Sequence, residues 1–197
     1  QVSRLIAACD GDTNARRRDR AIVLLLARLG LRAGDVAQLR LTDIEWHLIG
    51  PLQSNKAGIA ASRFAWVQTI DRAKIAVRLS AARPAGAPPQ NVCIQVNASG
   101  ETSKSGVAPE EVVALAQAVA RLPRLRLRGI MGIPEPTADA GLRRAQFRVL
   151  RECFDACGAS GLPVDTLSMG MSADLEDAIA EGATLVRVGT SIFGARE

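Results

Sequence analysis

The stretch TLSMGMSADLEDAIAEGATLVRVGT (166–190) decides the predicted fold. Two short apolar runs, at 166–169 and 185–188, are typical of buried strands, and the amphipathic run 175–180 between them is typical of a helix. The same alternation of strand and helix extends back to Trp46. Repeated alternation indicates parallel strands joined by right-handed crossovers, so the sequence predicts an α/β fold.

The predicted elements divide the chain into two parts. Residues 2–45 have helical periodicity only, so we predict a helical domain over 1–45 and an α/β domain over 46–197. The strands are predicted at 47–50, 66–70, 92–97, 127–131, 166–169 and 185–188. The helices between them are predicted at 56–63, 72–82, 110–121, 142–157 and 175–180. A doubly wound sheet and a (β/α) barrel both fit this order.

The composition limits the classes of partner. A hydrophobic fraction of 48% is ample for a core, whereas aromatic residues make up only 3%. A surface that stacks nucleic-acid bases needs aromatic side chains. The net charge of +5 is spread over both parts of the chain and forms no basic stripe. We therefore expect an anionic small ligand as partner and no nucleic acid.

The cysteines and the single histidine bear on metals and location. His47 stands alone and no Cys-x-x-Cys pair occurs, so no zinc site is predicted. The four cysteines are interpreted as free thiols of a reducing compartment. No signal peptide is recognised, and the apolar run 21–27 is too short to span a bilayer. We predict a cytoplasmic protein without membrane contact. The chain begins with Gln1, which is compatible with a fragment of a longer protein.

Two loops carry the predicted ligand site. The segments SMGMSAD (168–174) and RVGT (187–190) each follow the carboxyl end of one of the last two strands. In a (β/α) barrel these loops commonly bind phosphate, because glycine lets the backbone approach the anion and free N–H groups point at it. On the pattern alone, Ser172 fits a helix cap equally well, and Gly189 fits a turn that ends a strand.

Several segments together resemble the pyridoxal-phosphate homeostasis family. They are WHLIGPLQSNK (46–56), WVQTIDRAKIAVRL (66–79), IQVNASGETSKSG (94–106), RGIMGIPEP (128–136) and the stretch from Leu167 to Glu197. The resemblance implies a barrel similar to the N-terminal barrel of alanine racemase. It also implies binding of pyridoxal 5′-phosphate by a cofactor carrier without known turnover, and so not by an enzyme.

The same resemblance assigns roles to residues. Ser172, Gly189 and Thr190 would hold the phosphate, and Arg187 would lie beside the pyridine nitrogen and keep it unprotonated. Met169 and Gly170 belong to the same predicted cofactor-binding set.

The chain departs from this family at its beginning. It matches from the third barrel strand onward, so we predict an incomplete (β/α)8 barrel with about six parallel strands. The lysine that would bond the cofactor in a Val-Ser-Lys type motif is absent, and Lys56, Lys74 and Lys104 are predicted to be surface residues. We therefore expect noncovalent and impaired binding. Open barrel edges predict marginal stability or a homodimer.

The stretch RRRDRAIVLLLARLGLRAGDVAQLRLTDIEW (16–46) resembles the start of a tyrosine recombinase catalytic domain. The match covers residues 2–46 and assigns the first catalytic arginine to Arg32. These 197 residues contain no tyrosine, so strand cleavage through a tyrosine nucleophile is excluded. We predict a fusion whose first function is cofactor binding. The alternatives are a nonfunctional or self-associating fusion product and a weakly DNA-binding recombinase remnant.

Overall fold

The structure is a computed structural model that describes residues 13, 45–100 and 105–193. Glu45–Arg187 form one compact unit, and the described residues after Arg187 belong to a second unit. The predictions for the helices of residues 2–45, for Arg32 and for Lys104 lie outside the described residues, apart from Thr13 and Glu45.

Six parallel strands form one sheet in Glu45–Arg187. They are β1 His47–Leu48, β2 Trp66–Ile70, β3 Gln90–Val96, β4 Leu125–Gly132, β5 Thr166–Met171 and β6 Leu185–Arg187. The strands lie in the sheet in the order of the chain, and each pairs in parallel with the next. In a doubly wound sheet the strand order reverses at a switch point, whereas a barrel keeps it consecutive. The predicted incomplete (β/α) barrel is therefore confirmed as a half-barrel.

Helices follow the strands on the outer side of the half-barrel. They are α1 Ala57–Arg63, α2 Ala73–Ala82, α3 Val112–Ala120, α4 Ala140–Ala159 and α5 Leu175–Ala180. The described part of the second unit contains the short helix α6 Thr190–Phe193. Short 3-10 turns precede α1 and α3, at Ser54–Lys56 and Pro109–Glu111. None of the described helices is both long and apolar enough to cross a membrane.

The predicted bounds agree with the structure to within a few residues. Asp139 caps α4 by accepting hydrogen bonds from the N–H groups of Gly141 and Leu142, so the helix begins before residue 142. The helix is predicted to end at residue 157 but continues to Ala159, so Gly158 lies inside it. The chain turns after the helix, at Gly161, whose φ of +82° suits glycine. The short helix α6 was not predicted.

The main core lies between the sheet and the helices. Strand residues that face the helices are fully buried, among them Ile94, Ile130, Leu167 and Met169. They pack in one cluster with residues of α2 and α4, including Leu79 and Phe147. Each such side chain contributes about 1.5–3 kcal/mol by leaving water. This layer holds the carboxyl ends of the strands at one edge.

A second, smaller cluster lies on the inner side of the sheet. Trp66, Cys93 and Met131 are buried there, away from the main core. The imidazole of His47 stacks on the Trp66 ring with centroids 4.9 Å apart, and the Arg128 guanidinium lies 4.8 Å from the ring centroid. This cluster therefore fills the inner face near the beginnings of β1 to β4.

Candidate functional site

A pocket opens at the carboxyl ends of β4, β5 and β6. Its cavity volume is about 240 Å³, somewhat below the roughly 300–1,000 Å³ that is usual for sites of drug-sized ligands. Its walls are the loop after β4, the turn after β5 and the side chain of Arg187 at the end of β6. In barrels with parallel strands this edge is where ligands bind.

Arg187 is a partly buried charged residue of the pocket that two hydrogen bonds hold in place. Its Nη1 donates to Ser168 Oγ at 2.7 Å, and its Nη2 donates to the carbonyl oxygen of Gly132 at 2.8 Å. Its Nε is buried and has no hydrogen-bond partner within the described part of the chain. Burial lowers the pKa of the guanidinium, and the negative charge of Asp174 acts in the opposite direction. The guanidinium is thus fixed on two sides, and three of its five N–H donors, that of Nε among them, are not used by these two bonds.

The turn after β5 depends on Gly170. Its φ is +88°, and a Cβ at this position would lie 2.4 Å from the Cβ of Ala178 in α5. The turn is closed by Asp174, whose Oδ1 accepts a hydrogen bond from the Met171 N–H at 2.6 Å. Glycine therefore allows β5 to turn into α5 against the pocket.

The predicted site residues fall into three groups. Gly170 and Arg187 line the pocket, and Ser172 lies in the turn between two lining residues, Met171 and Ala173. The side chain of Met169 is fully buried in the main core, so only its backbone is near the turn. Gly189 and Thr190 belong to the second unit, where both are exposed and Thr190 begins α6.

Two residues that help to hold Arg187 in place, one directly and one through the other, were not predicted as site residues. Ser168 Oγ donates to Gln68 Oε1 at 2.6 Å, and Gln68 Nε2 lies 2.9 Å from His47 Nδ1. Gln68 and Ser168 are buried on the inner face of the sheet, 1% and 0% exposed. Ser168 belongs to the stretch that suggested the site, but Gln68 lies 100 residues away, and no sequence signal connects them.

Arg143 is a further pocket residue that the sequence did not reveal. Its Nε donates to Asp177 Oδ2 at 2.6 Å, and its Nη1 donates to the carbonyl oxygen of Thr137 at 3.1 Å. Hydrogen bonds from Arg144 and Arg143 hold the pKa of the Asp177 carboxyl below its usual range. Arg143 therefore ties α4 to α5 and to the loop after β4, and adds a positive charge to the pocket wall.

The lysines and thiols lie elsewhere. Lys56 and Lys74 are exposed, as predicted, and neither lines this pocket. Cys93 is buried on the inner face, where burial raises the pKa of its thiol to about 12. Within residues 45–100 and 105–193, no group of three His, Cys, Asp or Glu side chains could hold a metal ion.

The parallel strands form a half-barrel in the order of the chain, and a pocket that contains an arginine lies at the carboxyl ends of the strands. These two features define a class of fold. The family of the alanine racemase N-terminal domain matches residues 27–197. The match includes residues 27–45, for which the sequence predicted a recombinase-like origin. That recombinase resemblance stays a prediction.

Comparison with curated proteins identifies a narrower family within this class of fold. The pyridoxal phosphate homeostasis protein of Pseudomonas aeruginosa is 58% identical over 164 residues, which cover 83% of this chain and 70% of the relative. That of Escherichia coli K12 is 53% identical over 165 residues, covering 81% and 68%. The solved structure of PipY from Synechococcus elongatus with PLP bound has a TM-score of 0.74 at 27% identity, covering 98% of this chain and 100% of that chain.

The chain belongs to the family of pyridoxal phosphate homeostasis proteins. It spans about two thirds of the length of these two curated relatives.

Proposed function

We propose that this chain binds pyridoxal 5′-phosphate noncovalently in the pocket at the carboxyl ends of β4, β5 and β6, and so takes part in cofactor homeostasis. The observation that carries the proposal is the state of Arg187. Two of its donors are engaged with Ser168 and Gly132, while the buried Nε has no partner among the described residues. A buried unpaired donor costs about 1–3 kcal/mol, and a pyridine nitrogen is an acceptor that would satisfy it.

The chemistry of arginine favours storage over turnover. Bound pyridoxal phosphate supplies an electron sink, and this sink is strongest when the ring nitrogen is protonated. Arginine is a donor only and keeps its proton at any ordinary pH. Arg187 therefore presents a hydrogen to the ring nitrogen and keeps it unprotonated. A carrier of the cofactor has this requirement, because it must hold the group without reacting.

The turn after β5 supplies the phosphate side of the proposal. Ser172 lies in this turn beside the pocket and is assigned to the phosphate by family resemblance, and the same assignment of Gly189 and Thr190 stays a prediction. Arg187 and Arg143 line the pocket with Asp174, and Arg143 shares the carboxylate of Asp177 with Arg144, so three positive charges stand against two negative ones. A dianionic phosphate is favoured by this balance. Met169 contributes at most through its backbone, because its side chain is in the core.

Noncovalent binding follows from the lysines. A lysine that bonds the aldehyde must be positioned and deprotonated, which proteins achieve by desolvation. Lys56 and Lys74 are exposed and do not line the pocket. We therefore expect affinity below that of a protein with a covalent anchor. The buried free thiols Cys93, Cys153 and Cys157 are compatible with the cytoplasmic location predicted from the sequence.

Calorimetric titration with pyridoxal 5′-phosphate tests the proposal. The wild-type chain is expected to bind one equivalent, and Arg187→Ala is expected to lose at least about tenfold in affinity, since it removes a charge-assisted hydrogen bond. Arg148→Ala is the matched control, because Arg148 is an exposed arginine paired only with Glu181 at 3.4 Å. Absence of saturable binding by the wild-type chain contradicts the proposal, and so does an equal loss in both variants.

Self-association is a second candidate, favoured by the edge at β1. Among the described residues β1 pairs with a strand on one side only, and the flanking Trp46 and Ile49 are 58% and 42% exposed. Unpaired edges with apolar flanks associate readily. Sedimentation velocity over a range of concentrations tests this candidate. A dimer that Ile49→Lys disrupts supports it, and a monomer at all concentrations excludes it.

A further inference from the structure

A line of polar side chains crosses the inner face of the half-barrel from Arg187 to His47. Arg187 Nη1 lies 2.7 Å from Ser168 Oγ, Ser168 Oγ lies 2.6 Å from Gln68 Oε1, and Gln68 Nε2 lies 2.9 Å from His47 Nδ1. The four residues come from β6, β5, β2 and β1. Burying a hydroxyl and an amide is costly unless both are hydrogen-bonded, and here each is satisfied by the next residue in the line.

The direction of donation along this line is fixed by its first member. Arginine can only donate, so the Ser168 oxygen accepts from Arg187 and its own hydrogen must go to another acceptor. Gln68 Oε1 is that acceptor, which turns the Gln68 amide nitrogen toward His47. An amide nitrogen only donates, so His47 Nδ1 must carry no proton. Each residue in the line Arg187, Ser168, Gln68 and His47 therefore donates a hydrogen bond to the next, and the last acceptor is a neutral imidazole. We call this line the relay.

The surroundings of His47 suit the same tautomer. Its Nε2, which bears the proton in this arrangement, lies 3.9 Å from Glu45 Oε2. Its ring is held by the stack on Trp66, which also lies beside Arg128 and donates from Nε1 to Glu45 Oε2 at 3.1 Å. The imidazole thus has the Gln68 amide donor within hydrogen-bond distance of Nδ1, and a carboxylate on its Nε2 side that lies beyond that distance.

We propose that Ser168, Gln68 and His47 are positioning residues that orient Arg187 toward the ring nitrogen of the ligand. The inference rests on the proposed function and deepens it. Ser168 and the Gly132 carbonyl bind Nη1 and Nη2, so the plane of the guanidinium is fixed. The unpartnered Nε and the second hydrogens of Nη1 and Nη2 are the donors that these two bonds do not use. Without the hydroxyl of Ser168 one of these two anchors is lost, and the guanidinium can rotate about the other.

The ligand-free chain provides the first test. It has a single histidine, so the imidazole signals in nitrogen-15 NMR belong to His47. The wild-type chain is expected to show the neutral tautomer protonated on Nε2. In Ser168→Ala, Gln68 loses the donor that fixes its amide, and a measurable share of the Nδ1-protonated tautomer appears. Ser168→Thr, which keeps a hydroxyl, is expected to restore the wild-type tautomer.

Thr69→Val is the matched control for this test. Thr69 also carries a buried hydroxyl on β2, but its Oγ1 has no partner among the described residues and is not part of the relay. Its replacement is expected to leave the tautomer unchanged. A wild-type His47 protonated on Nδ1, or a Ser168→Ala spectrum identical to the wild type, would overturn the inference.

The second test uses pyridoxine 5′-phosphate, whose ultraviolet absorbance reports the protonation of the ring nitrogen. Bound to the wild-type chain, the ring is expected to stay unprotonated at pH values where the free ligand is protonated. Ser168→Ala is expected to return the ring titration toward that of the free ligand, with a loss of roughly tenfold in affinity. Should Ser168→Ala not fold, Gln68→Met cuts the relay one step further along and gives the same spectral change.

The outcomes separate the two proposals. If the wild-type chain binds neither phosphate, the proposed function fails. If it binds and the relay variants leave the ring titration unchanged, only the relay is overturned. A ring titration that shifts in Ser168→Ala and recovers in Ser168→Thr supports both.

Discussion

Ser168 Oγ lies 2.6 Å from Gln68 Oε1, although β3 and β4 separate their strands in the sheet. Neighbouring strands are about 4.8 Å apart, so a flat sheet would hold β2 and β5 roughly 14 Å from each other. Side chains on one face of a flat sheet also point in parallel and could not meet. The hydrogen bond therefore depends on the curvature of the half-barrel. Because Ser168 also binds Arg187, the same contact links this curvature to the position of the Arg187 side chain.

Ser168→Ala is expected to lower the free energy of unfolding by about 1–3 kcal/mol. The substitution leaves a buried Gln68 oxygen and an Arg187 donor without partners. Urea denaturation measures the change. Ser62→Ala is the control, since its hydroxyl donates to the Ile59 carbonyl on an exposed helix face and should change stability by no more than about 0.5 kcal/mol. Equal effects of the two substitutions would mean that the contact across the sheet adds no stability.

Gly170→Ala is expected to destabilise the chain by about 1–3 kcal/mol and to weaken ligand binding. The added methyl would meet Ala178 in a backbone conformation that L-residues avoid. Gly58→Ala provides a matched control in α1, where nothing lies within 4 Å of the new Cβ, and should stabilise by about 0.5–1 kcal/mol. Thermal unfolding of both variants checks the pair. A neutral Gly170→Ala would show that β5 and α5 can separate freely.

The stability of the chain is expected to fall as pH drops below about 6.5. Burial lowers the pKa of His47 below its ordinary value, and the Glu45 carboxylate only partly opposes the shift. Below a pH of about 6.5, His47 binds a proton more readily in the unfolded chain than in the folded chain. Proton binding therefore stabilises the unfolded state relative to the folded state. The free energy of unfolding keeps falling until the pH is below the lowered pKa of His47 in the folded state. Above a pH of about 6.5, His47 adds no pH dependence to the stability.

Urea midpoints between about pH 7.5 and about pH 5.5 measure this dependence. The chain has one histidine, so His47→Gln should flatten the profile in this window. A profile that keeps its wild-type slope in His47→Gln would assign the effect to other groups.

The sequence predicted those parts of the fold that depend on local pattern. The bounds of β2 and α5 agree with Trp66–Ile70 and Leu175–Ala180, because an apolar β-branched run and a short amphipathic run are local signals. The early start of α4 was also readable, since Asp139 is a standard capping residue. The choice of a barrel over a doubly wound sheet needed the family resemblance, because both arrangements have the same alternation.

The site was predictable only where its residues lie at the carboxyl ends of the last two strands. Gly170 and Arg187 lie at the ends of β5 and β6, and Ser172 follows β5, so their positions indicated a shared location. The partners of Arg187 and Arg143 depend on curvature and helix packing. Gln68 and Ser168 are 100 residues apart, and Arg143 and Asp177 are 34 apart. Contacts between residues so far apart in the chain leave no periodic pattern in the sequence, so the structure was needed to find them.

The affinity of the wild-type chain for pyridoxine 5′-phosphate, compared with pyridoxal 5′-phosphate, tests the central claim most directly. The two ligands share the ring nitrogen and the phosphate, and only the second has an aldehyde. Noncovalent binding centred on Arg187 predicts dissociation constants within about threefold of each other, a difference of less than ~0.7 kcal/mol, and no borohydride-stable adduct on Lys56, Lys74 or Lys104. Binding of the aldehyde form alone, with a trapped lysine, would contradict the account.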